Sequence, residues 1–169
     1  MGDRVENGVR VRRIGEGDLP DVVAMVRELA DYEHALDQCE LTVGALRTAL
    51  FAPAPVLFGH VALLGDGRAV GIALWFLNYS TWTGVPGIYL EDLFVRPEHR
   101  GGGAGRALLA ELAAECVRNG YRRLQWSVLD WNTPSIEFYE RLGAHLTPEW
   151  VGCRMTGGAL TELASERQR

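Results

Sequence analysis

Nothing in this chain of 169 residues is apolar for long enough to span a bilayer, which takes about 18 residues or more. The first residues, Met-Gly-Asp-Arg-Val-Glu-Asn-Gly, carry no apolar stretch for export, and Glu6 breaks the myristoylation pattern. The expected location is the cytoplasm, with no membrane partner. Cysteine is scarce: Cys39, Cys116 and Cys153 stand far apart, in a spacing that suits neither a disulfide framework nor a zinc site. They are expected to be buried, inert thiols. Basic residues are the minority, 17 against 22 acids, for a net charge of −5. No basic stripe is visible, which argues against nucleic acid as a partner. His34, His60, His99 and His145 lack metal-ligand spacing and are expected on the surface or in loops, so no metal is expected.

What is present is ordinary for a globular protein, 47% hydrophobic and 23% charged residues. The length suits a single domain over 1–169, with a core at about 9–157 and a short C-terminal tail. Hydrophobic spacing and turn residues predict strands at Val9–Ile14, Val56–Leu64, Ala69–Asn78, Ile88–Val95, Arg123–Leu129 and Val151–Met155. Helices are predicted after Asp18-Leu-Pro-Asp, after Thr42, at Arg106–Arg118, at Ser135–Leu142 and at Gly158–Glu166. Three antiparallel strands thus precede a βαβ unit. The fold class is α/β of the α+β mixed kind: a central mixed, mostly antiparallel sheet flanked by helices.

The most informative segment follows the strand ending at Val95. Pro97 makes a turn, and Arg100-Gly101-Gly102-Gly103-Ala104-Gly105-Arg106 runs into a helix. Successive backbone N–H groups at a helix N-terminus form an anion site, most naturally for phosphate. A dinucleotide fingerprint starting at Gly101 would need glycine at 106, where Arg106 stands. A nucleoside-triphosphate loop would need Gly-Lys-Ser/Thr, which is also missing.

The pattern Arg100-x-x-Gly103-x-Gly105 resembles the acetyl-CoA motif of the GCN5-related N-acetyltransferases (GNAT). A second segment, Asn132-x-x-Ser135-x-x-Phe138-Tyr139-x-x-x-Gly143-Ala144, resembles that family's other hallmark. Over Tyr89–Val95, Asp130–Tyr139, Arg27–Glu33 and Trp82–Gly84 the chain is similar to the diamine (spermidine/spermine) acetyltransferase branch, which includes thialysine-type members.

The resemblance implies a GNAT fold, acetyl-CoA as cosubstrate and a homodimer. It implies that Gly101, Gly102, Gly103, Ala104, Gly105 and Arg106, with Arg100, hold the coenzyme's pyrophosphate. Leu93, Phe94 and Val95 would line the pantetheine arm, with an amide near Phe94 or Val95 polarising the acyl carbonyl. Asn132 would lie near its thiol end, and Ser135 would also bind the coenzyme. Tyr139 would protonate the leaving thiolate. Tyr32, Glu33, Glu91, Trp126 and Glu149 would face a small-molecule amine.

An alkylammonium has a pKa near 10 and must lose a proton before it attacks. Glu91 is the expected base; strict strand alternation would send Asp92 to the opposite face, in a structural role. Attack in a ternary complex is expected, since no cysteine lies in either motif. Two further readings share these residues. A peptide or protein acetyltransferase would need an open groove, whereas bulky Tyr32, Trp82 and Trp126 suggest a closed pocket. A non-catalytic acyl-CoA-binding module would not need Tyr139 and Glu91.

Overall fold

The computed structural model describes residues 4–6 and 8–168, and they form two compact units that meet at Ser127/Val128. The first unit is built on a six-stranded sheet in sequential order: β1 (Arg4–Glu6), β2 (Val9–Arg13), β3 (Phe58–Leu64), β4 (Ala69–Ser80), β5 (Val85–Val95) and β6 (Leu124–Gln125). All neighbours are antiparallel except β5 and β6, which are parallel. That pair needs a crossover, and helix α3 (Ala104–Asn119) supplies it. Helices α1 (Leu19–Tyr32) and α2 (Val43–Phe51) lie between β2 and β3.

Alternation along the strands divides the core. Val61, Leu63, Ile72, Leu74 and Phe94 face α1 and α2, where Leu19, Val22, Met25 and Leu46 are fully buried. The other face carries α3, whose Leu108 and Leu112 are also fully buried. Thr42 caps α2 by accepting from the Ala45 amide at 3.1 Å. Gly120 ends α3 in a left-handed conformation, φ 69°.

On the α3 side, His60 is 2% exposed, and its Nδ1 accepts a hydrogen bond from the Trp75 indole N–H at 3.2 Å. The Arg13 guanidinium lies 4.9 Å over the Trp75 ring and pairs with Glu115 of α3 at 2.8 Å. This corrects the expectation of a surface histidine: the neighbouring indole satisfies the ring nitrogen, which makes burial tolerable. Cys116 is buried as expected, but Cys39 is half-buried and Cys153 exposed.

The second unit contains α4 (Thr133–Arg141) and α5 (Gly157–Ser165). The strand expected at Val151–Met155 is not formed; residues 151–156 have no regular structure. Alternating apolar residues make a strand only where a ladder partner exists. For the same reason the strand expected over Arg123–Leu129 shortens to Leu124–Gln125, which pair with Ile88 and Tyr89. Conversely, β1 was not foreseen. Among the described residues no helix is long and apolar enough to cross a membrane.

Candidate active site

The strand β5 runs past the end of its parallel neighbour. β6 pairs only with Ile88 and Tyr89, so from Leu90 to Val95 the β6-side edge of β5 has no ladder partner among the described residues. Apart from the Val95 carbonyl, which Arg100 engages, the backbone groups on that edge are available to an extended ligand, as an edge strand's are. The chain then makes one tight turn at Pro97–His99 and enters the glycine segment. Gly101 and Gly103 have φ of 78° and 91°, conformations that side chains other than glycine's rarely adopt. No side chain caps α3, whose N-cap is Gly103. Its first-turn N–H groups therefore have no intrahelical acceptor, and the positive end of a 16-residue helix faces outward.

A Cβ at Gly101 would meet nothing within 4 Å, and one at Gly102 only the His99 carbonyl at 3.5 Å, so the surface above the loop is open. Arg100 and Arg106 flank it, both exposed or partly so. The donor set and the uncapped helix end fit an oligophosphate such as that of coenzyme A.

Arg100 does not simply extend outward. Its Nε donates to the Val95 carbonyl at 2.9 Å, and its guanidinium lies 5.1 Å over the Tyr32 ring and 5.7 Å over that of Phe94. Tyr32, Phe94, Val95 and Arg100 are thus brought together at the C-terminal end of α1. The helix ends through His34 in a left-handed conformation, φ 59°, an uncommon backbone for a residue with a side chain. Glu33 is exposed, and partial desolvation of its carboxyl raises its pKa from the ordinary value.

The middle of β5 departs from regular alternation. Leu74 pairs with Asp92 but Trp75 pairs with Leu90, so Glu91 is an extra residue without a cross-strand partner. This β-bulge puts Asp92 and Leu90 on opposite faces and removes the basis for assigning Glu91 to the site by counting. Asp92 shares the α1 face with Leu74 and Phe94. Burial pushes its carboxyl up to about 6, and the charges of Glu91 and Glu33 add to the rise. Glu91 itself is exposed.

Trp126, half-buried, follows β6 directly. Trp82 is 90% exposed at the tip of the β4–β5 hairpin, roughly 30 Å along β5 from Val95. It does not wall this site in its own chain, which corrects the closed-pocket expectation as far as Trp82 carries it.

In the second unit, Asn132 is buried, 8% exposed, and caps α4 by accepting from the Ser135 amide at 3.3 Å. Tyr139 is seven residues, about two turns, beyond Asn132 on the same helix and half-buried, its ring 5.4 Å from that of Phe138. Glu149 is exposed. Among the described residues no group of three or more His, Cys, Asp or Glu could hold a metal ion.

A family model described as "Acetyltransferase (GNAT) family" matches residues 23–144. The chain belongs to this acetyltransferase family. It is 37% identical over 168 residues to a thialysine N-epsilon-acetyltransferase of Sus scrofa, covering 94% of this chain and 98% of that protein. An L-ornithine N5-acetyltransferase of Arabidopsis thaliana is 42% identical over 100 residues, 59% of this chain and 44% of that protein. A solved integron cassette protein from the mobile metagenome of V. cholerae superposes with a TM-score of 0.77 at 26% identity, covering 93% of this chain and 98% of that one. These relatives agree with the GNAT family to which both motifs pointed and with the diamine acetyltransferase branch that the longer segments resembled, and the protein is an enzyme. The bulge at Glu91 and the burial of Asp92 were not read from the sequence. Their only signal is two adjacent carboxylates inside an otherwise apolar strand.

Proposed function

We propose that the enzyme transfers the acetyl group of acetyl-CoA to a primary amine of a small molecule: a diamine, a polyamine, or an α-amino acid with a side-chain amine, of the thialysine and ornithine kind. The open edge of β5, running into an uncapped glycine loop beside the half-buried carboxylate of Asp92, is the observation that supports this most directly. Bound acetyl-CoA supplies the activated acyl thioester. The loop from Arg100 to Arg106 would hold its pyrophosphate, the exposed edge at Leu93–Val95 its pantetheine arm, and Asn132 its thiol end, with Ser135 also binding the coenzyme. An amide at Phe94 or Val95 would donate to the acyl oxygen as charge develops there.

The acceptor arrives as an ammonium ion. Tyr32, Glu33, Glu91, Trp126 and Glu149 form its proposed surroundings, and the carboxylates attract it. One carboxylate removes its proton. Of the adjacent pair Asp92 is the better suited, since a base with a pKa of about 6 is mostly ionised at neutral pH and accepts a proton more readily than an ordinary aspartate. Glu91 then serves the charge of the site. The free amine would attack the thioester carbon directly within the ternary complex, forming the C–N bond; as the C–S bond breaks, Tyr139 would give its proton to the departing sulfur and be reprotonated by the proton that the new amide nitrogen sheds. The chain contains no lysine, so it offers no side-chain amine of its own in competition.

A homodimer in the cytoplasm belongs to the same reading. Its support is the exposure of Trp150, Val151, Leu160 and Leu163 in the second unit, apolar surface of the kind that interfaces cover.

The test is a panel of thialysine, ornithine, lysine, putrescine and spermidine with acetyl-CoA, read as release of coenzyme A and as acetylated product. Turnover on one or more of these is expected. No turnover on any small amine, together with acetylation of peptides, would move the enzyme to the protein-acetylating reading.

A further inference from the structure

Glu28 and Tyr32 stand four residues apart on one face of α1, and Arg96 and Arg100 stand four residues apart between β5 and the glycine loop. The two pairs meet in register. The Arg96 guanidinium donates to both carboxylate oxygens of Glu28, from Nε at 3.2 and 3.3 Å and from its terminal nitrogen at 3.2 Å. Its other terminal nitrogen donates to the Ala69 carbonyl at 3.0 Å, and its amide to the Val70 carbonyl at 3.0 Å. Arg96 thereby ties α1 and the start of β4 to the first residue after β5. One turn along, Arg100 covers Tyr32.

The need for such a tie follows from the packing. The fully buried residues of α1 are Leu19, Val22 and Met25, in its first half. Its last two turns, which carry Tyr32, are less deeply seated, with Val26 and Leu29 only partly buried. A forked, charge-assisted pair at Glu28 and a cation–π contact at Tyr32, one turn apart, restrict both sliding and rotation of the helix end.

We infer that Arg96 and Glu28 form a latch that positions the acceptor side of the site against the coenzyme side. Arg96 is a positioning residue: it acts on the acyl donor through the glycine loop and on the acceptor through Glu28, α1 and Tyr32. This rests on the reading of the loop as the coenzyme A site and of Tyr32 and Glu33 as acceptor residues. Disturbing the latch should therefore weaken both substrates together, a pattern that a general loss of stability would not produce.

The experiment compares Glu28→Gln, Arg96→Met and the double variant with the parent enzyme. Coenzyme A affinity is measured by calorimetry without acceptor, and KM and kcat with the best amine of the panel. For a half-exposed pair each single change should weaken coenzyme A by about two- to fivefold, raise the amine KM by a similar factor and change kcat less. The double variant should be no worse than the poorer single one, because either change opens the same latch. Coenzyme A affinity and amine KM both unchanged in Glu28→Gln, or a double variant with fully additive losses, would overturn the latch. So would a lowered Tm with neither constant altered. A parent enzyme that bound no coenzyme A would instead sink the reading of the loop, and one that bound it without acetylating any amine would sink the acceptor reading.

Discussion

Trp75 donates its indole N–H to Nδ1 of His60, which assigns the histidine's own proton to Nε2 and requires the ring to be neutral. Burial drives its pKa down to about 4, with the Arg13 charge as a further cause. The unfolded chain takes up this proton near 6.5 and the folded one only near 4. Stability from this group is therefore complete above 6.5 and is lost as the pH falls through that window. His60→Asn, which keeps a side-chain acceptor for the indole, should flatten the decline of Tm between pH 6.5 and 4. An equal slope in both proteins would remove His60 as the cause.

The carboxylate pair on β5 gives a paired test. Asp92→Asn should lower kcat by at least about a hundredfold and abolish the acid limb of the kcat/KM profile near pH 6. Glu91→Gln should retain that limb and chiefly raise KM for the amine. The opposite assignment of the limb would return the base to Glu91.

Asp92 also makes a stability prediction of unusual sign. A carboxyl whose pKa is raised on folding stabilises the protein below its unfolded value of 3.8, and that contribution is lost as the pH rises through about 6. At pH 7.5 Asp92→Asn should therefore melt higher than the parent, by an amount on the order of 2 kcal/mol in stability, while at pH 4 the difference should shrink. A variant less stable at every pH would show that the carboxylate is held by partners rather than strained by burial.

Gly103, at φ 91°, is the N-cap of α3. Gly103→Ala should raise KM for acetyl-CoA about tenfold, since a side chain in this backbone region costs on the order of 1–2 kcal/mol and displaces the amides. The amine KM should move less. Coenzyme binding equal to that of the parent would place the phosphates elsewhere.

Tyr139→Phe keeps the ring contact with Phe138 and removes only the hydroxyl. A tenfold or greater loss of kcat, about what a positioned acid contributes at the low end, is expected with little change in either KM. Undiminished turnover would end the role of Tyr139 as the acid.

Much of the fold was open to reading because its signals are local. Thr42, Gly120 and the Gly65-Asp66-Gly67 turn act within a few residues of themselves, and each stands where the chain turns or a helix begins or ends. The glycine loop is of the same kind, its function written in consecutive backbone groups. What escaped depends on distant partners. Val151–Met155 alternates like a strand but has no ladder, and His60 looks like any strand histidine until Trp75 is placed beside it. The pairing of Glu28 with Arg96 joins positions 68 residues apart, and no spacing rule reaches so far.

The extra residue at Glu91 works as a phase shift in β5. C-terminal to it, Asp92 and Phe94 are presented to α1; N-terminal to it, Leu90 pairs with Trp75 and counts on the other phase. The two halves of one strand can therefore change independently, the first serving the core beneath α3 and the second the chemistry beside α1. Deleting this single residue would exchange the sides of everything from Val85 to Leu90 and drive Ile88 and Leu90, both nearly inaccessible to water, out of their packing. A position that is exposed and unpaired is in this sense among the least dispensable in the strand, for its presence more than for its side chain.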